Sequence, residues 1–179
     1  DYSQSLEEKG QRFREKWPDV NYENLLELDR PLIDVLEDDI KKGTELLMQG
    51  DPAKAAEIFM QIHRMDPLSF EARYGLGVSL SHLGQVEEAL MLFNGILDRD
   101  PDNAAVLNQC GMIAANLNDL EGAGMLFTQA VEKDPQYKDA RRNLTETLLQ
   151  SGQIESAILQ LVELLKMDPK DTDTLLRLA

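Results

Sequence analysis

The chain has 179 residues, 42% of them hydrophobic and 28% charged, with 33 acidic against 18 basic side chains and a net charge of -15. Such a field repels nucleic-acid phosphates and anionic lipid heads, so it argues against both and favours a basic partner, though an acidic surface also serves simply to stay solvated. A single cysteine excludes an internal disulfide and a thiolate cluster, and no apolar run approaches the roughly 20 residues that cross a bilayer.

Residues 1–30 carry helical spacing at Leu6, Phe13 and Trp17, a break at Trp17-Pro18, and a second helical stretch that stops at Pro31. Two readings stand side by side: a worn copy of the unit described below, or a helical extension over residues 1–35 that caps it, with Trp17 as its apolar anchor. From Pro31 to Gln49 runs a longer helix. Asp51 and Pro52 then open the next one, the aspartate as cap and the proline in a first turn where its missing N–H costs nothing. The same pair of helices is predicted at 69–83 with 86–98, at 103–117 with 120–133, and at 137–151 with 154–167. The last segment, 172–179, starts one more helix, capped by Asp171 or Thr172. It is read as a terminal cap or as the edge of a longer array.

These pairs are copies. Leu76, Gly77, Leu80, Gly84, Ala89, Phe93 and Pro101 recur thirty-four residues earlier as Lys42, Gly43, Leu46, Gly50, Ala55, Phe59 and Pro67. Thirty-four residues later they become Cys110, Gly111, Ala114, Asn118, Ala123, Phe127 and Pro135, and then Leu144, Thr145, Leu148, Gly152, Ala157, Leu161 and Pro169. With background proline usage near 5%, four hits at specified places have a chance of roughly one in a hundred thousand, so the period is real. The small residues are expected to let helices approach closely, the phenylalanines to fill the space between one pair and the next, and the prolines to end each second helix. In the fourth copy Thr145 and Leu161 replace glycine and phenylalanine, which predicts different packing there.

This period and spacing resemble the tetratricopeptide repeat family. The resemblance covers residues 36–171 as four units, 36–69, 70–103, 104–137 and 138–171. It implies an all-α fold, a solenoid of antiparallel helix pairs wound into a right-handed superhelix, and it implies an interaction surface, not a reaction.

No phosphate-binding glycine loop, zinc helix or nucleophile turn is present, so neither enzyme activity nor a cofactor is expected. Gly75-Leu-Gly77 lies inside a helix with no strand before it. Asp98, Asp100 and Asp102 copy half of a calcium loop, yet Asn103 and Gln109 stand where glycine and glutamate are needed, so these acids are read as turn and cap residues. Cys110 falls in an aliphatic slot and is expected to pack as a small hydrophobe. Asn143-Leu-Thr145 spells a glycosylation site but falls within a helix.

The resemblance implies that first helices line a concave side. Helical spacing puts Glu37, Ile40 and Thr44 there in the first copy, then Glu71, Tyr74, Val78 and His82, then Asn108, Met112 and Asn116, and finally Asp139, Arg142 and Glu146. The amides suit a peptide backbone, Tyr74, Val78 and Met112 suit apolar side chains, and Arg142 an acid. Related repeats that grip chaperone C-termini use lysine, asparagine and arginine at set places. Here those places hold Ile40 with Thr44, Gly75, and Ala105 with Gln109, or, one copy later, Tyr74 with Val78, Gln109, and Asp139 with Asn143, so that acidic ligand class is not expected. The expected function is a noncatalytic, cytoplasmic scaffold for a protein or peptide. Rival readings are an accessory domain of an enzyme or secretion apparatus, an acidic chaperone for secreted proteins, and self-association through residues 1–30.

Overall fold

A computed structural model gives the fold, and residues 36–178 are those it describes; the readings of residues 1–35, Trp17 included, lie outside them. The described chain is all helix and turn. Helix α1 occupies residues 36–48, followed by α2 (Pro52–Met65), α3 (Phe70–His82), α4 (Val86–Leu97), α5 (Ala104–Asn116), α6 (Leu120–Lys133), α7 (Lys138–Gln150), α8 (Ile154–Met167) and α9 (Thr172–Leu178). Each helix packs mainly on its neighbours in sequence, which makes a solenoid of antiparallel pairs.

Local chemistry sets the ends. Asp51, Ser69, Asn103, Asp119 and Asp171 each accept a backbone N–H from three residues on, satisfying an orphan donor of the next helix. Each odd-numbered helix from α1 to α7 closes on a left-handed residue, with φ of 78° at Gly50, 77° at Gly84, 63° at Asn118 and 72° at Gly152. The following N–H reaches back across the turn, for instance Gln85 to the Leu80 carbonyl at 2.9 Å and Gln153 to that of Leu148 at 2.8 Å. Asp66, Asp134 and Asp168 leave α2, α6 and α8 in extended geometry before a proline, and their carboxylates accept the N–H two residues on. Helix α4 departs from this. It ends at Leu97, where Arg73 Nη1 donates to the Gly95 carbonyl at 3.0 Å and the Arg99 N–H donates to the Ile96 carbonyl at 3.0 Å.

The core is a row of aromatic keys. An ideal Cβ built on Gly43 would stand 2.8 Å from the Phe59 ring, on Gly77 2.6 Å from Phe93, and on Gly111 2.7 Å from Phe127. This corrects the sequence reading in one way, since the glycines admit a ring and not a neighbouring backbone, and it adds that each ring seats in its own helix pair. Phe59 also reaches onward to the next pair, as the sequence reading expected, lying where a side chain on Gly75 would be. In the fourth pair the bulk has changed sides, with Thr145 and Leu161 both buried and the Thr145 hydroxyl donating to the Arg141 carbonyl at 2.8 Å.

Candidate functional site

Helices α1, α3, α5, α7 and α9 form one wall, and side chains bridge along it from helix to helix. Gln109 Nε2 donates to the Tyr74 hydroxyl at 3.2 Å, and Asn143 Nδ2 donates to Asn108 Oδ1 at 2.9 Å. Asn108 in turn donates to the Tyr137 hydroxyl at 3.4 Å and lies against Met112 Sδ at 3.7 Å. Further along, Arg142 pairs with Asp171 at 3.0 Å and Asp139 at 3.4 Å, while Arg177 pairs with Glu146 at 2.7 Å and Asp173 at 3.1 Å.

Burial and these partners set the proton states. Burial raises the Tyr74 phenol and pushes that of Tyr137 up to about 12, so both stay neutral hydrogen-bonding groups. Hydrogen bonds from Thr174, then the Arg142 guanidinium, hold Asp171 at about 2. Arg177 lowers Glu146 in the same way. Burial lifts the Cys110 thiol to about 11, which makes it a packing residue with little thiolate character.

Three hollows follow one another along the wall. The first, about 220 Å³, lies between α1 and α3 and is lined by Ile40, Thr44, Leu47, Phe70, Tyr74 and Val78 among others. The second, about 320 Å³, is lined by Asn108, Gln109, Met112, Tyr137, Arg142 and Asn143 with Asp139. The third, about 280 Å³, lies between α7 and α9 beside Glu146, Thr174 and Arg177. A wider cleft of about 820 Å³ opens on the other face of α7, lined by Gly124 and Met125 of α6 and by Leu144, Thr147 and Leu148 of α7. It lacks any bridge of charged or amide groups across it, so the wall of inner helices is the better-built surface.

The expected residues therefore divide. Tyr74, Val78, Met112, Arg142 and Glu146 line the hollows, although Val78 is only 9% exposed. Asn108 lines the second but is 2% exposed, with its amide already engaged by Asn143, Tyr137 and Met112. It acts as a strut, where a free donor to a peptide was expected. His82 and Asn116 stand exposed at the ends of α3 and α5 and line none of the three hollows. Arg142 is likewise committed to two carboxylates before any acid arrives.

Sequence reasoning passed over Gln109, Tyr137, Asn143 and Arg177 as site residues. The signal was present as the row Lys41, Gly75, Gln109 and Asn143 at thirty-four-residue spacing, whose amides face the preceding inner helix. Elsewhere the acids at 98–102 serve the turn, Asp100 holding Asn103 at 2.9 Å and Asp102 pairing with Lys133 at 2.7 Å. Thr145 of the glycosylation triplet is buried, and Asn143 is bonded within the wall. No described helix is long and apolar enough to cross a membrane.

Comparisons with known proteins agree with this architecture. The family model described as tetratricopeptide repeat matches residues 46–110 and 114–179. Among solved structures, MamA residues 41 to the end from Desulfovibrio magneticus RS-1 superposes with a TM-score of 0.63 at 20% identity, over 76% of this chain and 77% of that one. Pseudomonas aeruginosa PilF gives 0.70 at 22% identity, over 81% and 66% of the two chains. A tetratricopeptide repeat protein from Parabacteroides merdae gives 0.62 at 19%, over 78% and 56%. No curated protein sequence matches. With the repeat model spanning well over half of its length, the chain belongs to the tetratricopeptide repeat family.

Proposed function

We propose that this chain is a noncatalytic scaffold that holds a segment of a basic protein partner along the wall of inner helices. The observation that carries the reading is the division of labour between surfaces. The recurring glycine, alanine and phenylalanine rows are spent on the core, whereas the inner-helix wall keeps three hollows that the core does not need. Recognition by such a wall uses apolar seats for alternate side chains with polar groups between them. The sign of the partner follows from charge: the basic residues lining the hollows, Arg142 and Arg177, are already matched by carboxylates, and the whole chain carries -15. A cytoplasmic location suits a chain with one buried free thiol.

The test is affinity capture from a host lysate with three versions of the chain. Thr44→Lys with Glu71→Lys alters the wall at two exposed positions, and Met91→Lys with Leu159→Lys alters the outer face at two others. Proteins held by the wild type and the outer-face variant but lost by the wall variant are expected. Loss in the outer-face variant alone would overturn the reading.

A further inference from the structure

Side chains tie neighbouring inner helices together at successive junctions: Gln109 crosses from α5 to α3, Asn143 from α7 to α5, and Arg142 of α7 meets Asp171 at the head of α9. At the equivalent place α3 carries Gly75, which has no side chain to send across to α1. Glycine is required there because the Phe59 ring occupies the space a Cβ would take. The result is the hollow of about 220 Å³, with Ile40, Thr44 and Leu47 on one side, Tyr74 and Val78 on the other, and Phe59 beneath.

This hollow is shaped before anything enters it. Phe70 stacks on Tyr74 with ring centroids 5.5 Å apart, Phe93 backs Tyr74 at 6.1 Å, and Gln109 fixes the hydroxyl. A preformed wall spares an entering group the ordering cost that a mobile one would impose. Sites for small molecules start at about 300 Å³, so the space fits one large side chain better than a free metabolite. At the rim stands Glu71, exposed, with one carboxylate oxygen accepting from Ser69 Oγ at 3.3 Å.

We propose that this hollow receives a single aliphatic or aromatic side chain of a basic protein segment, with a Lys or Arg beside it facing Glu71. The assignment rests on the scaffold reading above and supplies its register, since the anchor lies at the α1–α3 junction.

Fluorescence anisotropy with three fluorescein-labelled twelve-residue peptides tests it: a central Leu flanked on each side by Lys-Arg, the same peptide with Ala at the centre, and the Leu peptide with Glu in place of every Lys and Arg. The Leu peptide is expected to bind about tenfold tighter than the Ala peptide, and the Glu peptide not at all. Thr44→Trp fills the hollow from an exposed position and should abolish the preference for Leu, while Glu71→Lys should weaken both basic peptides. As a measurement that needs no variant, methyl resonances of Ile40, Leu47 and Val78 should shift on adding the Leu peptide. Equal binding of the Leu and Ala peptides overturns the anchor yet leaves a basic ligand of the wall standing. Binding of the Glu peptide, binding of none of the three, or shifts confined to Ile158 and Val162 on the outer face overturns the proposal.

Discussion

At position 145 a threonine takes the place that glycine holds in the three earlier repeats, and across from it Leu161 takes the place of phenylalanine. Both are buried, so the two changes are expected to act as one exchange of volume. Thr145→Gly alone should open a void and cost about 1–3 kcal/mol, and Leu161→Phe alone should drive a ring into the threonine at a similar cost. The double variant rebuilds the glycine and ring seen at Gly77 with Phe93, and should recover most of the loss. Urea denaturation of the four proteins measures the coupling, expected at about 1–2 kcal/mol; additive losses would mean that the side chains do not share a space. The sequence showed that this copy departs, but not whether its two departures meet, because a thirty-four-residue alignment gives positions and not the direction in which a ring points.

Turns and caps were the legible elements, since each depends on residues adjacent in sequence. Gly50, Gly84, Asn118 and Gly152 align in the repeat and all adopt positive φ. Gly84→Ala should therefore destabilise by about 1 kcal/mol, whereas Asn118→Gly should be neutral or mildly stabilising in thermal melts. Less legible were contacts made across the wall, such as Asn108 to Asn143, because a polar residue on an inner helix looks equally available whether or not a partner thirty-five residues away claims it. Helix α9 depends on such contacts. Its cap, Asp171, sits at about 2, below the ordinary aspartate value near 4, through Thr174 and Arg142. A depressed carboxylate contributes stability above its unfolded value and loses it as pH falls through the folded one, so the attachment of α9 should weaken between about pH 4 and pH 2. Glu146, lowered by Arg177, adds to the same trend. Melting temperature against pH should fall less steeply in Asp171→Asn over that window, from a lower starting value near neutrality. Identical slopes would remove Asp171 from the account.

For the whole molecule, a solenoid is held by what each unit buries against the next, so the ends matter most. Ala140, Leu144 and Thr147 of α7 lie buried against α6, and their equivalents Ala72, Leu76 and Ser79 and Val106, Cys110 and Ile113 are buried as well. In α1 the same row reads Asp38, Lys42 and Glu45, all exposed. That face presents charged side chains where the later inner helices present apolar ones, whereas α9 covers α8 with Thr174 buried. Removing residues 1–30 should therefore shift the melting temperature by less than about 3 °C, while removing residues 172–179 should lower it by more, given that each kcal/mol moves a domain of this size by about 2–4 °C. Light scattering on the same shortened protein tests the proposal that residues 1–30 mediate self-association: a larger mass in the full chain that falls to monomer on their removal supports it, and monomer in both overturns it. A melting temperature that drops by more than about 5 °C without residues 1–30 would show that the charged row on α1 is not where stacking stops.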